Sequence, residues 1–356
     1  MQISSETLYS RHALRWCIVQ PPLRVTKDNL WQNLSLLVDL PSDHLRAAWR
    51  MVIDNHAYKT VAMGRRTLHL PSPLVEEVQK KILHRLLSNG PISPAAYGGV
   101  TGRSFVDAAR VHLTKNTSTV LSLDVTNAFE STFFSEIKRA LRSRLRTDLW
   151  VLGADRADVK ELIEVLTFLV TVPKGQKTRR LPLGTSTSVA LFNLVMLPAD
   201  QRILAWCQPQ GIRYTRYIDD LVFSSSENLP KELEKLVYQT LRKHNLKLNS
   251  LKTSRQRSPD LTIHNLILAN ERVVPSEALL NRIANSSRSC IDKLGSAKEL
   301  SNTDPNALHE LKGMYHFLMQ FYGTELAQWP HQVRTLLEYD FSEQTEQHLE
   351  LLWTSS

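Results

Sequence analysis

Apolar side chains recur at helical spacing in one segment whose two ends are both marked by characteristic residues. Ser72 fits the N-cap position and Pro73 the first helical position, where a missing amide hydrogen costs little. The apolar positions that follow are Leu74, Val78, Ile82 and Leu86. Asn89 and Gly90 supply a stop, because both tolerate the left-handed conformation that ends many helices. The pattern predicts a helix between Pro73 and Asn89.

Other segments divide into helical patterns and short β-rich runs. Helices are predicted over residues 133–149, 157–170, 186–206, 277–294 and 307–322, with a kink at Pro198. Strands are predicted over residues 58–61, 67–70, 119–123, 213–217, 221–224 and 262–268. The irregular alternation of the two kinds of element is typical of an α+β protein.

Composition adds limits on the class and location of the protein. The chain has 356 residues, of which 42% are hydrophobic and 22% charged, as in globular proteins of two or three domains. No apolar run approaches the roughly 18 residues of a membrane span, and the N-terminus lacks a secretory pattern. Cys17, Cys207 and Cys290 are too widely separated for a zinc-binding pattern. These features predict a cytoplasmic protein with no membrane partner.

The charge balance bears on the kind of partner. The chain carries a net charge of +9, from 44 lysines and arginines against 35 acidic residues. A surplus of positive charge favours a polyanionic partner such as nucleic acid, through release of counterions. Many basic proteins bind no nucleic acid, so charge alone leaves that partner open.

Three aspartates lie where predicted strands end. Asp124 follows the β run 119–123, and Asp219 and Asp220 lie together at the tip of a predicted hairpin. Adjacent carboxylates at a tight turn repel each other by roughly 1–4 kcal/mol. A bound cation would offset this repulsion, and Mg²⁺ prefers carboxylate oxygens while keeping positions open for phosphate. The alternative is a solvated turn and a strand-end cap without any metal.

The surroundings of these aspartates resemble two sequence motifs of reverse transcriptases. Residues 214–224, Tyr-Thr-Arg-Tyr-Ile-Asp-Asp-Leu-Val-Phe-Ser, resemble motif C with its Tyr-x-Asp-Asp, and the flanks look especially like bacterial, retron-type enzymes. Residues 123–131, Leu-Asp-Val-Thr-Asn-Ala-Phe-Glu-Ser, resemble motif A, whose aspartate contributes the first metal ligand. The interval between the two motifs fits that family.

Further segments resemble the same family in the family's own order. Residues 181–188, followed by Asn193, resemble motif B, and residues 245–253 resemble motif D with Asn245 in place of the usual glycine. The residues that match the finger segment of bacterial enzymes are Lys59, Gly64, Arg66, Leu68, Pro71 and Gln79. The residues that match the family's Gly-Arg-Ser are Gly102, Arg103 and Ser104. Together these segments cover roughly residues 55–270.

The resemblance implies a right-hand polymerase with fingers, a palm built on a small antiparallel sheet, and a helical thumb. Along this chain it implies an N-terminal helical segment at residues 1–55 and fingers at 56–117. The palm would follow at 118–256, with an insertion of the fingers near 142–182, and the thumb at 257–356.

The same resemblance implies roles for particular side chains. Asp124, Asp219 and Asp220 would hold two Mg²⁺ ions and form the catalytic centre. The residues placed at the nucleotide are Lys59, Arg65, Arg66, Phe129, Gly184 and Lys252. The residues placed at the RNA are Arg103 and His112.

Several of these nucleotide contacts have a plainer alternative. Phe129 would lie under the sugar and exclude a 2′-hydroxyl, or would simply pack in the core. Lys59, Arg65 and Arg66 would grip the triphosphate, since guanidinium pairs well with phosphate oxygens; a solvated basic turn is the alternative for Arg65. Lys252 would assist the departure of pyrophosphate, or would be an ordinary surface lysine.

The chain departs from the family in three places. Leu183 stands at the glutamine position of motif B, and Ser186 stands at a proline position. Residues 108–112 keep the histidine of the retron Asn-Ala-x-x-His but lack its asparagine, and residues 264–266 stand where retron enzymes have Val-Thr-Gly. The resemblance to bacterial reverse transcriptases is therefore closer than the resemblance to retron enzymes alone.

Three functions stay open on the sequence. The first is an RNA-directed DNA polymerase that copies a structured non-coding RNA in a bacterial anti-phage system. Its partners would be the RNA template, the RNA/DNA duplex, dNTPs and an effector protein encoded nearby. The second is a template-independent or protein-primed polymerase of the abortive-infection type. The third is a non-catalytic RNA-binding scaffold, against which the three clustered carboxylates argue, because they would repel phosphates.

Overall fold

The computed structural model describes residues 30–64, 66–151, 156–175, 178–259, 261–269, 272–294, 305–323 and 329–334. Arg65, one of the residues predicted at the nucleotide, lies outside these residues. The described chain forms two compact units. The first contains the chain up to Ala108 together with Leu121–Arg255, and the second contains Ala109–Val120 and the chain from Gln256 onward.

Helices and strands alternate irregularly along the described residues. The helices are α1 (Leu30–Val38), α2 (Ser42–Ile53), α3 (Pro73–Ile82), α4 (Phe105–His112), α5 (Ala128–Ser131), α6 (Phe134–Val151), α7 (Arg156–Leu169), α8 (Ser188–Cys207), α9 (Lys231–Arg242), α10 (Glu277–Leu294) and α11 (Pro305–Tyr322). The strands are β1 (Tyr58–Met63), β2 (Arg66–Pro71), β3 (Thr119–Asp124), β4 (Val172–Lys174), β5 (Thr178–Arg180), β6 (Arg213–Tyr217), β7 (Asp220–Ser225), β8 (Ser254–Arg257), β9 (Thr262–Ile263), β10 (Leu266–Ala269) and β11 (Arg272–Pro275). None of these helices is both long and apolar enough to cross a membrane.

The strands form four small sheets. Strand β1 pairs with β2, and β4 with β5, both antiparallel. A four-stranded sheet has the order β6-β7-β3-β8, with β6 and β7 as an antiparallel hairpin. The three strands β9, β10 and β11 form an antiparallel meander in the second unit. The predicted mixture of helix and small antiparallel sheets is confirmed.

Helix α8 forms the centre of the first unit. It packs against α6, α9 and β6, and ten of its 20 side chains are buried. The helix continues through Pro198 instead of ending there. Three of the residues that α8 buries are polar, namely Ser188, Asn193 and Asp200, and the last two bear on the functional site.

The helix predicted after Ser72 is present and begins at Pro73 as expected. Ser72 occupies the N-cap position with Pro73 behind it, yet its side chain makes no capping hydrogen bond. Its hydroxyl lies 3.8 Å from the sulfur of Met51 instead. Helix α3 ends at Ile82 and continues as a π-helical turn, Leu83–Leu87.

The single strand predicted over residues 262–268 is wrong. The chain forms the two strands β9 and β10, joined by a turn at His264 and Asn265. Both residues have positive φ angles, 52° and 62°, and both residue types are enriched in that conformation. The apolar residues on either side of the turn gave the appearance of one continuous strand.

The buried imidazole of His264 is expected to make the stability of the protein dependent on pH. Burial lowers the pKa of His264 to about 4, whereas an unfolded histidine has a pKa of about 6.5. The unfolded chain therefore takes up the proton first, and stability is lost as the pH falls from about 6.5 to about 4. Thermal unfolding across this range measures the effect. The variant His264→Asn keeps a residue suited to the turn and should show a smaller loss; an equal loss would contradict the assignment.

Candidate active site

The three predicted catalytic aspartates meet at one edge of the four-stranded sheet. Asp124 is the last residue of β3, and Asp220 is the first residue of the neighbouring strand β7. The amide of Val125 donates to the carbonyl of Asp219 at 3.0 Å, which joins the end of β3 to the hairpin turn. The Asp220 carboxyl group is close enough to Asp124 that the Asp124 charge raises its pKa. Asp124, Asp219 and Asp220, here called the acidic cluster, therefore come together from distant parts of the sequence.

A two-residue turn presents Asp219 and Asp220. The pairing of β6 with β7 extends to Tyr217 and Asp220, so that Ile218 and Asp219 form the turn. Ile218 has a φ angle of +56°, and this left-handed conformation costs a β-branched residue about 1–3 kcal/mol. Its surroundings hold it there, because Nη1 of Arg216 donates to the Ile218 carbonyl at 2.8 Å.

Burial and mutual repulsion raise the pKa values of two carboxyl groups in the acidic cluster. Burial contributes most to the rise of the Asp220 pKa to about 6, followed by the charges of Asp219 and Asp124. The pKa of Asp219 is also raised, chiefly by burial and then by Asp124, against the opposing charges of Arg66 and Lys252. A cation between these carboxylates would favour their charged forms.

The segment after α9 places a cation and an amide on Asp124. Lys252 ends the 3₁₀ turn Ser250–Lys252, and its Nζ lies 2.8 Å from Asp124 Oδ1. Asn249 Nδ2 donates to Asp124 Oδ2 at 3.3 Å, and the Asn249 amide donates to the Asp124 carbonyl at 2.8 Å. The hydrogen bond with Asp124 raises the pKa of Lys252. Lys252 thus lies at the acidic cluster, and Asn249 was missed, although it belongs to the segment that resembles motif D.

Gly184 lies where the motif B segment meets the β1–β2 hairpin. The amide of His69 on β2 donates to the carbonyl of Leu183 at 2.8 Å. Gly184 has a φ angle of +99°, and a Cβ atom there would lie 3.4 Å from Leu68 Cδ2. The space would admit a methyl group with little adjustment, so the backbone conformation is what requires glycine. The assignment of Gly184 to the nucleotide stays a prediction.

The basic residues predicted at the triphosphate lie on the same hairpin. Arg66, at the start of β2, is exposed. Its positive charge opposes the rise of the Asp219 pKa that burial causes. Lys59 is exposed on β1. The structure therefore brings Arg66 near the acidic cluster, while it places Lys59 further down the hairpin, paired with Leu70.

Phe129 lies on the short helix α5, directly after the end of β3. Its ring is half-buried and packs against Phe192, with ring centres 5.6 Å apart. The ring belongs to the margin of the apolar core. Core packing and a contact with the sugar are compatible, because the Phe129 side chain is only partly buried.

Arg103 and His112, the residues predicted at RNA, are both engaged within the protein. Arg103 Nη1 donates to the carbonyls of Ser93 and Ala96 at 3.1 and 2.7 Å, and its guanidinium lies 5.4 Å from the ring centre of Tyr97. His112 is completely buried, so a direct contact with RNA would require its surroundings to open. Their roles in RNA binding stay predictions.

A buried ion pair behind the turn was not identified from the sequence. Arg216 and Asp200 are both fully buried, and Arg216 Nη2 lies 2.8 Å from Asp200 Oδ2. The hydroxyl of Tyr214 donates to the same carboxylate, to Oδ1 at 2.7 Å. A charged residue within an apolar helical run indicates a buried partner, and Asp200 in α8 provided that indication.

Sequence comparison defines the class of protein to which this fold and site belong. The family described as reverse transcriptase (RNA-dependent DNA polymerase) matches residues 58–266, more than half of the chain. The chain therefore belongs to the reverse transcriptase family. The matched range contains the whole acidic cluster together with Asn249 and Lys252.

Among curated proteins, the chain is similar to retron reverse transcriptases of several bacteria. The retron Mx65 reverse transcriptase of Myxococcus xanthus is 32% identical over 200 residues, which are 54% of this chain and 45% of that protein. The retron Ec83 reverse transcriptase of Escherichia coli is 29% identical over 169 residues, 46% and 50% of the two chains. The retron Se72 reverse transcriptase of Salmonella heidelberg (strain 579083-10) is 25% identical over 236 residues, 64% and 58% of the two chains. The chain spans about half the length of the curated relatives it matches, and its predicted resemblance to bacterial retron-type enzymes is confirmed.

Membership in this family implies dependence on a divalent metal, typically Mg²⁺. Among the described residues, no three His, Cys, Asp or Glu side chains are already arranged as ligands of one ion. The acidic cluster nevertheless offers only oxygen donors, which suit Mg²⁺. In this structure the ammonium group of Lys252 forms an ion pair with the Asp124 carboxylate. The donor set of the acidic cluster therefore fits Mg²⁺.

Proposed function

We propose that this chain is an RNA-directed DNA polymerase of the bacterial retron type, which copies a structured non-coding RNA in an anti-phage system. The observation that supports this most is the meeting of Asp124, Asp219 and Asp220 at one sheet edge in a chain of this family. The similarity to proteins named retron reverse transcriptases favours the retron class. An effector protein encoded nearby belongs to the same proposal.

The acidic cluster is the proposed catalytic centre. Two Mg²⁺ ions held by its carboxylates would activate the primer 3′-hydroxyl and neutralise the leaving pyrophosphate. Arg66 and Lys59 bind the triphosphate of the incoming dNTP, with Arg66 nearer the chemistry. Lys252 carries a proton at Nζ beside Asp124 and is the candidate donor to pyrophosphate. Phe129 contacts the sugar and excludes a 2′-hydroxyl.

The proposed architecture is the right hand of polymerases. The fingers comprise residues 56–117, including the β1–β2 hairpin that carries Arg66. The palm comprises residues 118–256, including the four-stranded sheet, with a finger insertion near 142–182. The proposed thumb is residues 257–356, and an N-terminal helical segment at residues 1–55 belongs to the same proposal; parts of both ranges lie outside the residues that the structure describes. The position of the acidic cluster on the four-stranded sheet supports the assignment of the palm.

Incorporation of nucleotides tests the proposed function directly. The purified chain and its co-purifying RNA are incubated with Mg²⁺ and labelled dNTPs or, separately, NTPs. We expect incorporation of dNTPs that stops when a chelator removes Mg²⁺ and returns when Mg²⁺ is added in excess. Removal of RNA by ribonuclease beforehand should abolish it. Incorporation that persists without RNA would favour a template-independent enzyme, and binding of RNA without incorporation would favour the scaffold.

Replacement of Phe129 is expected to relax the choice of sugar. The variant Phe129→Ala removes the half-buried ring, so that a 2′-hydroxyl no longer meets an obstacle. The ratio of kcat/KM for dNTPs to that for NTPs should fall by roughly 10–100-fold, which corresponds to about 1–3 kcal/mol of discrimination. A matched control is Phe134→Ala, which removes a ring from α6. An unchanged ratio in Phe129→Ala would assign this ring to core packing alone.

A further inference from the structure

A set of buried polar contacts ties helix α8 to the turn that carries Asp219. The guanidinium of Arg216 contacts both oxygens of the Asp200 carboxylate, from Nε to Oδ1 at 3.0 Å and to Oδ2 at 3.2 Å, and from Nη2 to Oδ2 at 2.8 Å. Its remaining nitrogen, Nη1, donates to Asn193 Oδ1 at 2.9 Å and to the Ile218 carbonyl at 2.8 Å. One side chain, held by two residues of α8, therefore holds the turn. Asp200, Asn193 and Arg216 are called the Arg216 network below.

Tyr97 and Gly98, in the segment before α4, also contact the turn and the strand that leads into it. Asn193 Nδ2 donates to the carbonyl of Gly98 at 2.9 Å, so the Arg216 network extends to this segment. A Cβ atom on Gly98 would lie 2.5 Å from Cγ1 of Ile218 and 2.6 Å from its backbone nitrogen. The amide of Tyr97 also donates to the backbone carbonyl of Arg216 at 2.8 Å. Gly98 thus lies against Ile218 with no room for a side chain.

Ile218 needs such support because an isoleucine disfavours the positive φ angle that it has in this turn. Glycine and asparagine adopt positive φ angles readily, whereas isoleucine does not. The turn is therefore held by Arg216, whose guanidinium is fixed by α8, and by Gly98, which packs on Ile218 from outside the hairpin. Asp219 and Asp220 follow Ile218 directly, so a shift of the Ile218 carbonyl moves both carboxylates relative to Asp124.

We propose that Arg216 is a positioning residue, through which Asp200 and Asn193 set the places of Asp219 and Asp220 beside Asp124. This rests on the polymerase function proposed above. Arg216 is fully buried and acts through the Ile218 carbonyl without touching the substrate. A role in core stability alone would change the unfolding temperature but not the response of the folded enzyme to Mg²⁺.

Three variants of the full chain test the proposal. Arg216→Lys keeps the charge but cannot reach Asp200, Asn193 and Ile218 together. Asn193→Ala removes the link between the guanidinium and Gly98, and Gly98→Ala leaves the network intact but pushes on Ile218. The matched control is Asn33→Ala, which removes a buried asparagine from α1. For each, dNTP incorporation is measured against Mg²⁺ concentration, together with thermal unfolding.

We expect kcat to fall by roughly 10–100-fold in the folded variants, with little change in the KM for dNTPs. The Mg²⁺ concentration for half-maximal rate should rise by about tenfold, and excess Mg²⁺ should recover part of the rate. Asn33→Ala should keep the wild-type Mg²⁺ response.

Several outcomes would overturn the proposal. One is a wild-type kcat and Mg²⁺ response in folded Gly98→Ala or Asn193→Ala. Failure of all three variants to fold would assign the contacts to stability and would overturn it as well. Absence of incorporation by the wild-type chain would instead contradict the proposed function itself.

Discussion

Replacement of Asp219 and Asp220 together by asparagine is expected to lower dNTP incorporation by at least about 1000-fold, or about 4 kcal/mol of transition-state stabilisation. The change keeps the size of both side chains but removes the two charges that would bind Mg²⁺ at the hairpin tip. The turn itself should persist, because the contacts that hold Ile218 do not involve either carboxylate. Single-turnover incorporation on the co-purifying RNA measures the effect.

RNA binding separates this loss from a general defect of the double variant. It should be retained, and slightly strengthened at low salt, because two negative charges near the phosphates have been removed. The matched control is Asp43→Asn with Asp54→Asn, which changes the net charge equally at two exposed positions. Incorporation by Asp219→Asn/Asp220→Asn at the wild-type rate would rule out the acidic cluster as the catalytic centre.

Removal of one partner from the buried pair of Asp200 and Arg216 should have the largest effect on stability. The variant Asp200→Ala leaves a fully buried guanidinium without its counter-charge, which typically costs about 3–5 kcal/mol. For a chain of 356 residues, a fall in Tm of roughly 4–7 °C is expected. Thermal unfolding at constant pH measures it, and an unchanged Tm would contradict the burial of the charge.

A second variant separates stability from positioning. Asp200→Leu with Arg216→Met replaces the pair by apolar side chains and should be more stable than Asp200→Ala, since no buried charge is left unpaired. The Ile218 carbonyl would still lose its donor. We therefore expect the double replacement to recover much of the Tm but little of the incorporation rate. Recovery of both would show that the pair contributes to stability alone.

The sequence predicted those parts of the site that depend on residues close together along the chain. A β run that ends in Asp124 and a hairpin with two aspartates at its tip can both be recognised without a structure. Their meeting at one sheet edge follows from the order of the strands, with β7 beside β3. The resemblance to motifs A and C implied that the three aspartates meet, but it did not give the order of the strands.

The parts that the sequence did not predict depend on contacts between distant residues. The pairing of Asp200 with Arg216 joins a helix to a strand, and neither local pattern specifies the other. Asn249 is a polar residue in a loop, and only the structure shows that it donates to Asp124. For Phe129 the structure does not choose between the two predicted roles. Its half-buried position is compatible both with contact to the sugar and with core packing.

The wrong prediction at residues 262–268 has a similar cause. His264 and Asn265 form a two-residue turn that contains neither glycine nor proline. Turn signals based on those two residue types therefore miss it. The resemblance had marked this position as a departure from the retron pattern, but a departure does not reveal the new conformation.

The left-handed Ile218 has a consequence for protein engineering. A synthetic peptide of residues 213–225, or the same hairpin grafted onto an unrelated scaffold, would keep Arg216 but would lack the two α8 residues that hold its guanidinium and the glycine that packs against Ile218. In such a fragment Ile218 would leave the left-handed conformation, and the two aspartates that follow it would change their positions. The Tyr-x-Asp-Asp motif is therefore not sufficient to form the site by itself. A smaller engineered enzyme would also have to retain α8 and Gly98.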